Sequence, residues 1–360
     1  MAPMAPLVSK QLCGALQQAI TALAWSPDGE FLVIASAGGE LLLLDFRAGC
    51  EELLRGDRDS SLDALGFSSD GQFLMAAGQS GELLLWELGG TGIRPMAMDP
   101  IPLGRGWIDT AAWQPQGLQL AVAAGRQLRL WDGASRQWRR DTLDLPGTIQ
   151  ALAWSADGVQ LAASCQGEVT LWRPCSSRAP APLLRNAVAS AGLALAFSGP
   201  GNHLACGLLD CSLLVWPQAC REHPWQFSGF PAKVRHLAWS DQPGRLAPLL
   251  ASASKETVIL WTQVSRGSNA WRPEPLFWHE RRVNALAFMP GSNVLASASS
   301  DGTVALWDGR GQLLQPLEGE GPGFNVLTWR PDGRHLAAGD AQGQWWLWPV
   351  AAPAHEEQRQ

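Results

Sequence analysis

The chain has 360 residues, of which 46% are apolar and only 17% are charged. That composition can bury a sizeable core and excludes a disordered chain, which is poor in apolar residues and rich in net charge. A net charge of −6 leaves no bulk positive field to attract nucleic acid or anionic lipid.

From the N-terminus, Pro3 and Pro6 break any apolar run and Lys10 is the only early cation, so no signal peptide is expected. No stretch approaches the ~20 apolar residues needed to span a bilayer, and a cytoplasmic protein is the expectation. Leu7 to Leu12 reads as an extended segment. From Ile20 onward one pattern recurs eight times. It is a short apolar strand ending in an aromatic, a turn, a second apolar strand, a tight turn, and a third strand ending in Trp or Leu. Copies begin at Ile20, Leu62, Ile108, Ile149, Gly192, Val234, Val283 and Phe324. The first-strand aromatics are Trp25, Phe67, Trp113, Trp154, Phe197, Trp239, Phe288 and Trp329. The third-strand positions are Leu44, Trp86, Trp131, Trp172, Trp216, Trp261, Trp307 and Trp348. Two independent registers keep one period, the signature of a repeat architecture.

The apolar runs are too short for helices and are punctuated by Gly-containing turns, so each copy predicts strands. Asp28-Gly29, Asp70-Gly71, Asp157-Gly158 and Asp332-Gly333 supply the positive φ that a reversal needs. Near-continuous apolar runs such as Leu41 to Leu44 imply sheets covered on both faces, as radial stacking around an axis produces. After Trp348 the sequence is poor strand material, and residues 351–360 read as a tail.

Ser26-Pro27-Asp28-Gly29, Ser299-Ser300-Asp301-Gly302, and the dipeptides Trp131-Asp132 and Trp307-Asp308 resemble the WD-repeat (WD40) β-propeller family. The resemblance spans residues 20 to 349. It implies one all-β propeller domain over residues 1–350; the eight copies argue for eight blades, and seven, the commoner number in that family, is the lesser alternative. The N-terminal segment would supply the outer strand of the last repeat and close the ring. The resemblance also implies a hydrogen-bonded tetrad within a blade. Only the seventh repeat offers a complete set: His279, Ser297 or Ser299, Asp301 and Trp307, with Trp278 in place of the family's Gly. The fold itself is nearly silent on function.

Reactive groups are sparse. No HExxH, no G-x-S-x-G after a strand and no G-x-x-x-x-G-K-[ST] occurs. Seven cysteines without a CxxC pair read as small buried hydrophobes. His223, Cys220 and Cys211 are close in sequence, but strand alternation turns some of them apart. No catalysis, metal or cofactor is expected. Arg-rich spots are interspersed with acids, which argues against nucleic acid.

A protein partner remains. In the resembling family, the loops between an outer strand and the next inner strand, with those between second and third strands, build the face most used for partners. Trp107 with Arg105, and Trp278 with Arg281 and Arg282, fall in such loops. Lys233 with Arg235, Lys255 with Glu256, and the acidic Glu318/Glu320 loop complete a mixed ring, and Arg58 is counted on the same candidate face. Aromatics beside Arg have the composition of an interface hot spot. The expectation is a non-catalytic scaffold that binds one or more proteins. The alternatives are a propeller enzyme or metal-handling protein using the central channel, and an RNA-associated subunit.

Overall fold

Thirty strands build the computed structural model, which describes residues 12–89, 92–96, 106–174, 182–199, 203–217, 223–242, 248–265, 270–319, 321 and 323–350. Strand β1 (Leu12–Ala15) precedes the first repeat. Sheet one holds β2 (Ile20–Trp25), β3 (Phe31–Ser36), β4 (Leu41–Asp45) and β5 (Cys50–Arg55). The second holds β6 (Leu62–Phe67), β7 (Phe73–Gly78), β8 (Leu83–Gly89) and β9 (Gly92–Met96). The third holds β10 (Ile108–Trp113), β11 (Gln119–Ala124), β12 (Gln127–Asp132) and β13 (Gln137–Asp144).

The fourth sheet has six strands: β14 (Ala151–Trp154), β15 (Leu161–Trp172), β16 (Leu184–Phe197), β17 (His203–Leu208), β18 (Leu213–Pro217) and β19 (Trp225–Phe227). The fifth holds β20 (His236–Trp239), β21 (Leu250–Ser254), β22 (Thr257–Gln263) and β23 (Trp271–Leu276). The sixth holds β24 (Val283–Phe288), β25 (Leu295–Ser299), β26 (Thr303–Trp307) and β27 (Leu313–Glu318). The last holds β28 (Phe324–Trp329), β29 (His335–Asp340) and β30 (Gln344–Pro349), with β1 at its outer edge.

The described strands therefore form seven blades, which corrects the expectation of eight. The repeats number eight, but the fourth and fifth share one sheet. The physical reason is β16. Its first half pairs with β15, from Leu184 opposite Leu171 to Ala191 opposite Gln166, and its second half, Gly192 to Phe197, pairs with β17. No loop separates the outer strand of one repeat from the inner strand of the next, so the hydrogen-bonded ladder runs on. Strand β15 is likewise unbroken through Gly167, whose φ of +79° suits a residue without Cβ.

All pairings are antiparallel, and the inner strands stand side by side around an axis until β28 meets β2. The ring is fastened by β1, whose Leu12, Cys13, Gly14 and Ala15 pair with Leu347, Trp346, Trp345 and Gln344. The closing strand thus lies later than the Leu7 to Leu12 segment read from sequence, of which residues 7–11 lie outside the described residues, as does the 351–360 tail. Pairing covers the open edge of the last sheet.

The core lies in wedges between neighbouring sheets. One wedge brings Ile20, Leu32 and Leu44 of the first sheet against Trp345 and Leu347 of the last. First-strand tryptophans do more than fill space. Trp113, Trp154, Trp239 and Trp329 each donate the indole N–H to a backbone carbonyl of the preceding inner strand: Gly66, Ala112, Ala196 and Ala287, at 3.0–3.2 Å. Each is a stitch between repeats that also satisfies a buried polar group. Among the described residues no helix is long and apolar enough to cross a membrane.

Candidate functional site

The β23–β24 loop, residues 277–282, presents two adjacent aromatics to solvent. Phe277 is 80% exposed and Trp278 42% exposed. Both follow Leu276, which is buried, and both precede Arg281 and Arg282, which are exposed. The loop is nonetheless pinned. Glu280 N–H donates to Asp301 Oδ2 at 3.0 Å, the Ser299 hydroxyl donates to the Arg281 carbonyl at 3.0 Å, and Ser300 N–H donates to the Arg282 carbonyl at 2.8 Å.

Those anchors belong to a buried network. His279 Nδ1 lies 3.1 Å from Asp301 Oδ2, and His279 Nε2 lies 2.8 Å from Ser297 Oγ. Ser297 Oγ also accepts the Trp307 indole N–H at 2.9 Å. The four tetrad candidates are thus brought together through Ser297, while Ser299 turns to the loop. Ser, His and Asp at these distances have the outline of a nucleophilic triad. However, Ser297 is fully buried and its oxygen is already an acceptor, which leaves no reacting atom a place to sit. Burial holds the His279 imidazole below its ordinary pKa, although Asp301 pulls the other way. Burial pushes Asp301 up, but the Thr303 hydroxyl, His279 and the Thr303 and Glu280 N–H groups outweigh it and keep the carboxyl low.

Backbone bonds join this loop to the neighbouring ones. Val283 N–H donates to the Lys255 carbonyl at 2.8 Å, tying the β21–β22 turn to the base of β24. Ser254 Oγ accepts the Ala232 N–H at 3.0 Å and lies 2.7 Å from the Ala232 carbonyl, tying that turn to the β19–β20 loop. Lys233, Lys255, Arg281 and Arg282 consequently share one rim, together with Arg235, and Trp278 stands beside it. Arg58 is not part of this group. It sits in the β5–β6 loop with Asp57 and Asp59, and β28 and β2 lie between its inner strand and β24. Trp107, 62% exposed, stands at the foot of β10 on another sheet. Arg105 lies outside the described residues.

Beside this rim lies the central channel. A cavity of about 420 Å³ is lined by Thr21, Asp63, Thr110, His236, Asn284 and Asn325 among others. An adjoining one of about 350 Å³ shares His236 and adds Gln150 and Arg235. Burial, then the charges of Arg282 and Arg235, bring His236 down to about 4, so it is neutral at physiological pH. Among the described residues no group of three or more His, Cys, Asp or Glu could hold a metal ion. Cys220 lies outside them. Two features escape the sequence reading, Phe277 and the channel-facing His236. Parity with buried Leu276 was the available signal for the first; the second has none, since a lone His on an inner strand does not report the channel.

The family model for the WD domain, G-beta repeat, matches residues 9–45 and 275–308. THO complex subunit 3 of Arabidopsis thaliana is 32% identical over 120 residues, 33% of this chain and 37% of that protein. WD repeat-containing protein 1 of Rattus norvegicus is 25% identical over 196 residues, 42% of this chain and 32% of that one. Nuclear distribution protein nudF of Aspergillus niger is 29% identical over 161 residues, 44% and 35% respectively. The matches cover only about a third of these relatives' length. The structure of Chaetomium thermophilum Sqt1 bound to the N-terminus of the ribosomal protein L10 superposes with a TM-score of 0.77 at 18% identity, covering 93% of this chain and 97% of that one. The computationally designed Ika8 protein superposes with a TM-score of 0.74 at 25% identity, covering 93% and 98%.

Proposed function

We propose that this chain, a WD40-repeat protein, is a non-catalytic platform that binds another protein through the loop face carrying Phe277, Trp278 and the adjacent cationic arc. The observation that carries the reading is a pinned loop with unburied aromatics. Large apolar side chains on a rigid backbone offer contact area at small entropic cost, because little order has to be created on binding. The names of similar proteins fit the same kind of role: one is a subunit of a complex, and Sqt1 holds a segment of a ribosomal protein.

The test is co-purification from the native host with tagged parent and a Trp107→Ala/Trp278→Ala bait. Both side chains are exposed, so the double variant should melt with the parent. A specific partner kept by the parent and lost by the folded variant supports the platform. No specific partner on either bait under gentle salt removes it. The channel favours one other reading, a small-molecule site around His236. Retained partner binding together with loss of a bound metabolite on His236→Ala would point there.

A further inference from the structure

We infer that the arc formed by Lys233, Arg235, Lys255, Arg281 and Arg282 docks a short acidic peptide segment, whose apolar residue seats against Phe277 and Trp278. The inference rests on the platform reading and adds the chemistry of its partner.

The first argument is charge left unanswered. Some surface cations elsewhere have acidic mates, as Arg136 has Glu87, Arg185 has Glu168, and Arg330 has Glu30 and Asp332. Others without an ion pair among the described residues, such as Arg126, Arg173 and Arg310, stand apart from one another in sequence rather than on linked loops. None of the five arc cations forms an ion pair within 4.0 Å among the described residues. Glu256 and Glu280 are the acids that directly adjoin them in sequence. This concentration occurs on a chain of net charge −6, and two of its three lysines are in the arc. Arg235 lines the channel cavity beside His236, and the charge of Arg282 also reaches that imidazole.

The second argument is backbone strain. Lys255 has φ +52°, a region that a side chain with Cβ rarely adopts. The corresponding two-residue turn between β11 and β12 places Gly125 there, at φ +58°. Glycine would relax this turn, and a lysine held there instead keeps a cation on the rim. Strain of this kind clusters where a side chain is needed for binding.

The third argument selects the partner. A long polyanion such as RNA would run across the face and meet Asp57, Asp59 and Glu82 on the far rim, where they outnumber Arg55 and Arg58. A short acidic segment uses the arc alone, and the exposed aromatics give it an apolar anchor that phosphate backbones do not need.

The experiment pans a displayed library of random short peptides on the whole chain at low salt. Binding of enriched peptides is then measured to the parent, Lys255→Gly, Arg282→Ala and the double variant. Enriched sequences should carry several Asp or Glu around an aliphatic or aromatic residue. Each single variant should weaken them about threefold to fivefold, and the double on the order of tenfold. Lys255→Gly should do so with no loss of melting temperature, which separates a binding role from a structural one. Enrichment of neutral or basic peptides, failure to enrich any, or tighter binding of oligouridine than of the peptides overturns the inference. A native partner lost on Trp278→Ala but retained by the Lys255→Gly/Arg282→Ala chain overturns it too, while leaving the platform reading standing.

Discussion

Asp301 Oδ2 stands 3.1 Å from His279 Nδ1, and the same oxygen accepts the Glu280 backbone N–H at 3.0 Å. One carboxylate therefore links the buried core of the sixth sheet to the exposed loop above it. Asp301→Ala should leave the buried His279 Nδ1 without its carboxylate partner and remove one of the three bonds that pin the loop. A loss of about 2–4 kcal/mol in denaturant unfolding is expected. Faster amide exchange at residues 280–282 should accompany it. Unchanged exchange there would show that the loop is held by other contacts.

The same network sets a pH dependence. His279 and Asp301 both sit below their ordinary values of 6.5 and 3.8 in the fold. The unfolded chain therefore takes up protons at a higher pH than the folded one, and stability falls as pH falls. The His279 contribution is complete above about 6.5 and is lost progressively below it; that of Asp301 is lost only below about 4. His203, His236 and His335 are lowered as well and act in the same direction. Melting temperatures from pH 8 to pH 3 should decline more steeply below 6.5 in the parent than in His279→Gln. Parallel curves would remove His279 from the account.

Trp307 is 2% exposed and donates to Ser297. Trp307→Ala should cost roughly 3–5 kcal/mol, the range for truncating a buried aromatic. Chemical denaturation measures it. Trp307→Phe should recover most of the packing and leave the cost of one unmade hydrogen bond, about 1 kcal/mol.

Ring closure rests on four residues. A Cβ on Gly14 would lie 2.4 Å from the Trp345 ring, so the closing strand can pass only without a side chain there. Gly14→Val should lift β1 off β30 and lower the melting temperature nearly as far as deletion of residues 1–16. A deletion that melts within a degree or two of the parent would mean that β1 contributes little to closure.

The period of the aromatics made the repeats legible, because two strand registers had to agree on it. What the period could not report was how neighbouring repeats are joined. Between Leu184 and Ala191 there is no Gly or Pro to break the ladder, and β16 runs through. Counting repeats treats every junction alike, so eight repeats read as eight blades. At the candidate site, the exposed loop position of Trp278, Arg281 and Arg282 was legible from the sequence. The strain at Lys255 was not, because positive φ there follows from the tight turn rather than from the residue type. Nor was the indole stitching of Trp113, Trp154, Trp239 and Trp329, which depends on the spacing between sheets rather than within one.

Asp340 at the end of β29 is 1% exposed. Its Oδ1 accepts the Gln342 and Gln344 N–H groups at 2.9 and 2.8 Å, whereas its Oδ2 has no hydrogen-bond partner. Burial raises its pKa, although those N–H groups oppose the shift. The sign is the reverse of that for Asp301. The folded state favours the protonated form, so a penalty appears as pH rises from about 4 and is fully present at neutrality. Asp340→Asn keeps the acceptor for both N–H groups and removes the buried charge. It should raise the melting temperature at pH 7, and the gain should shrink as pH falls toward 4. A variant less stable than the parent at pH 7 would mean that the carboxylate charge is compensated in the fold.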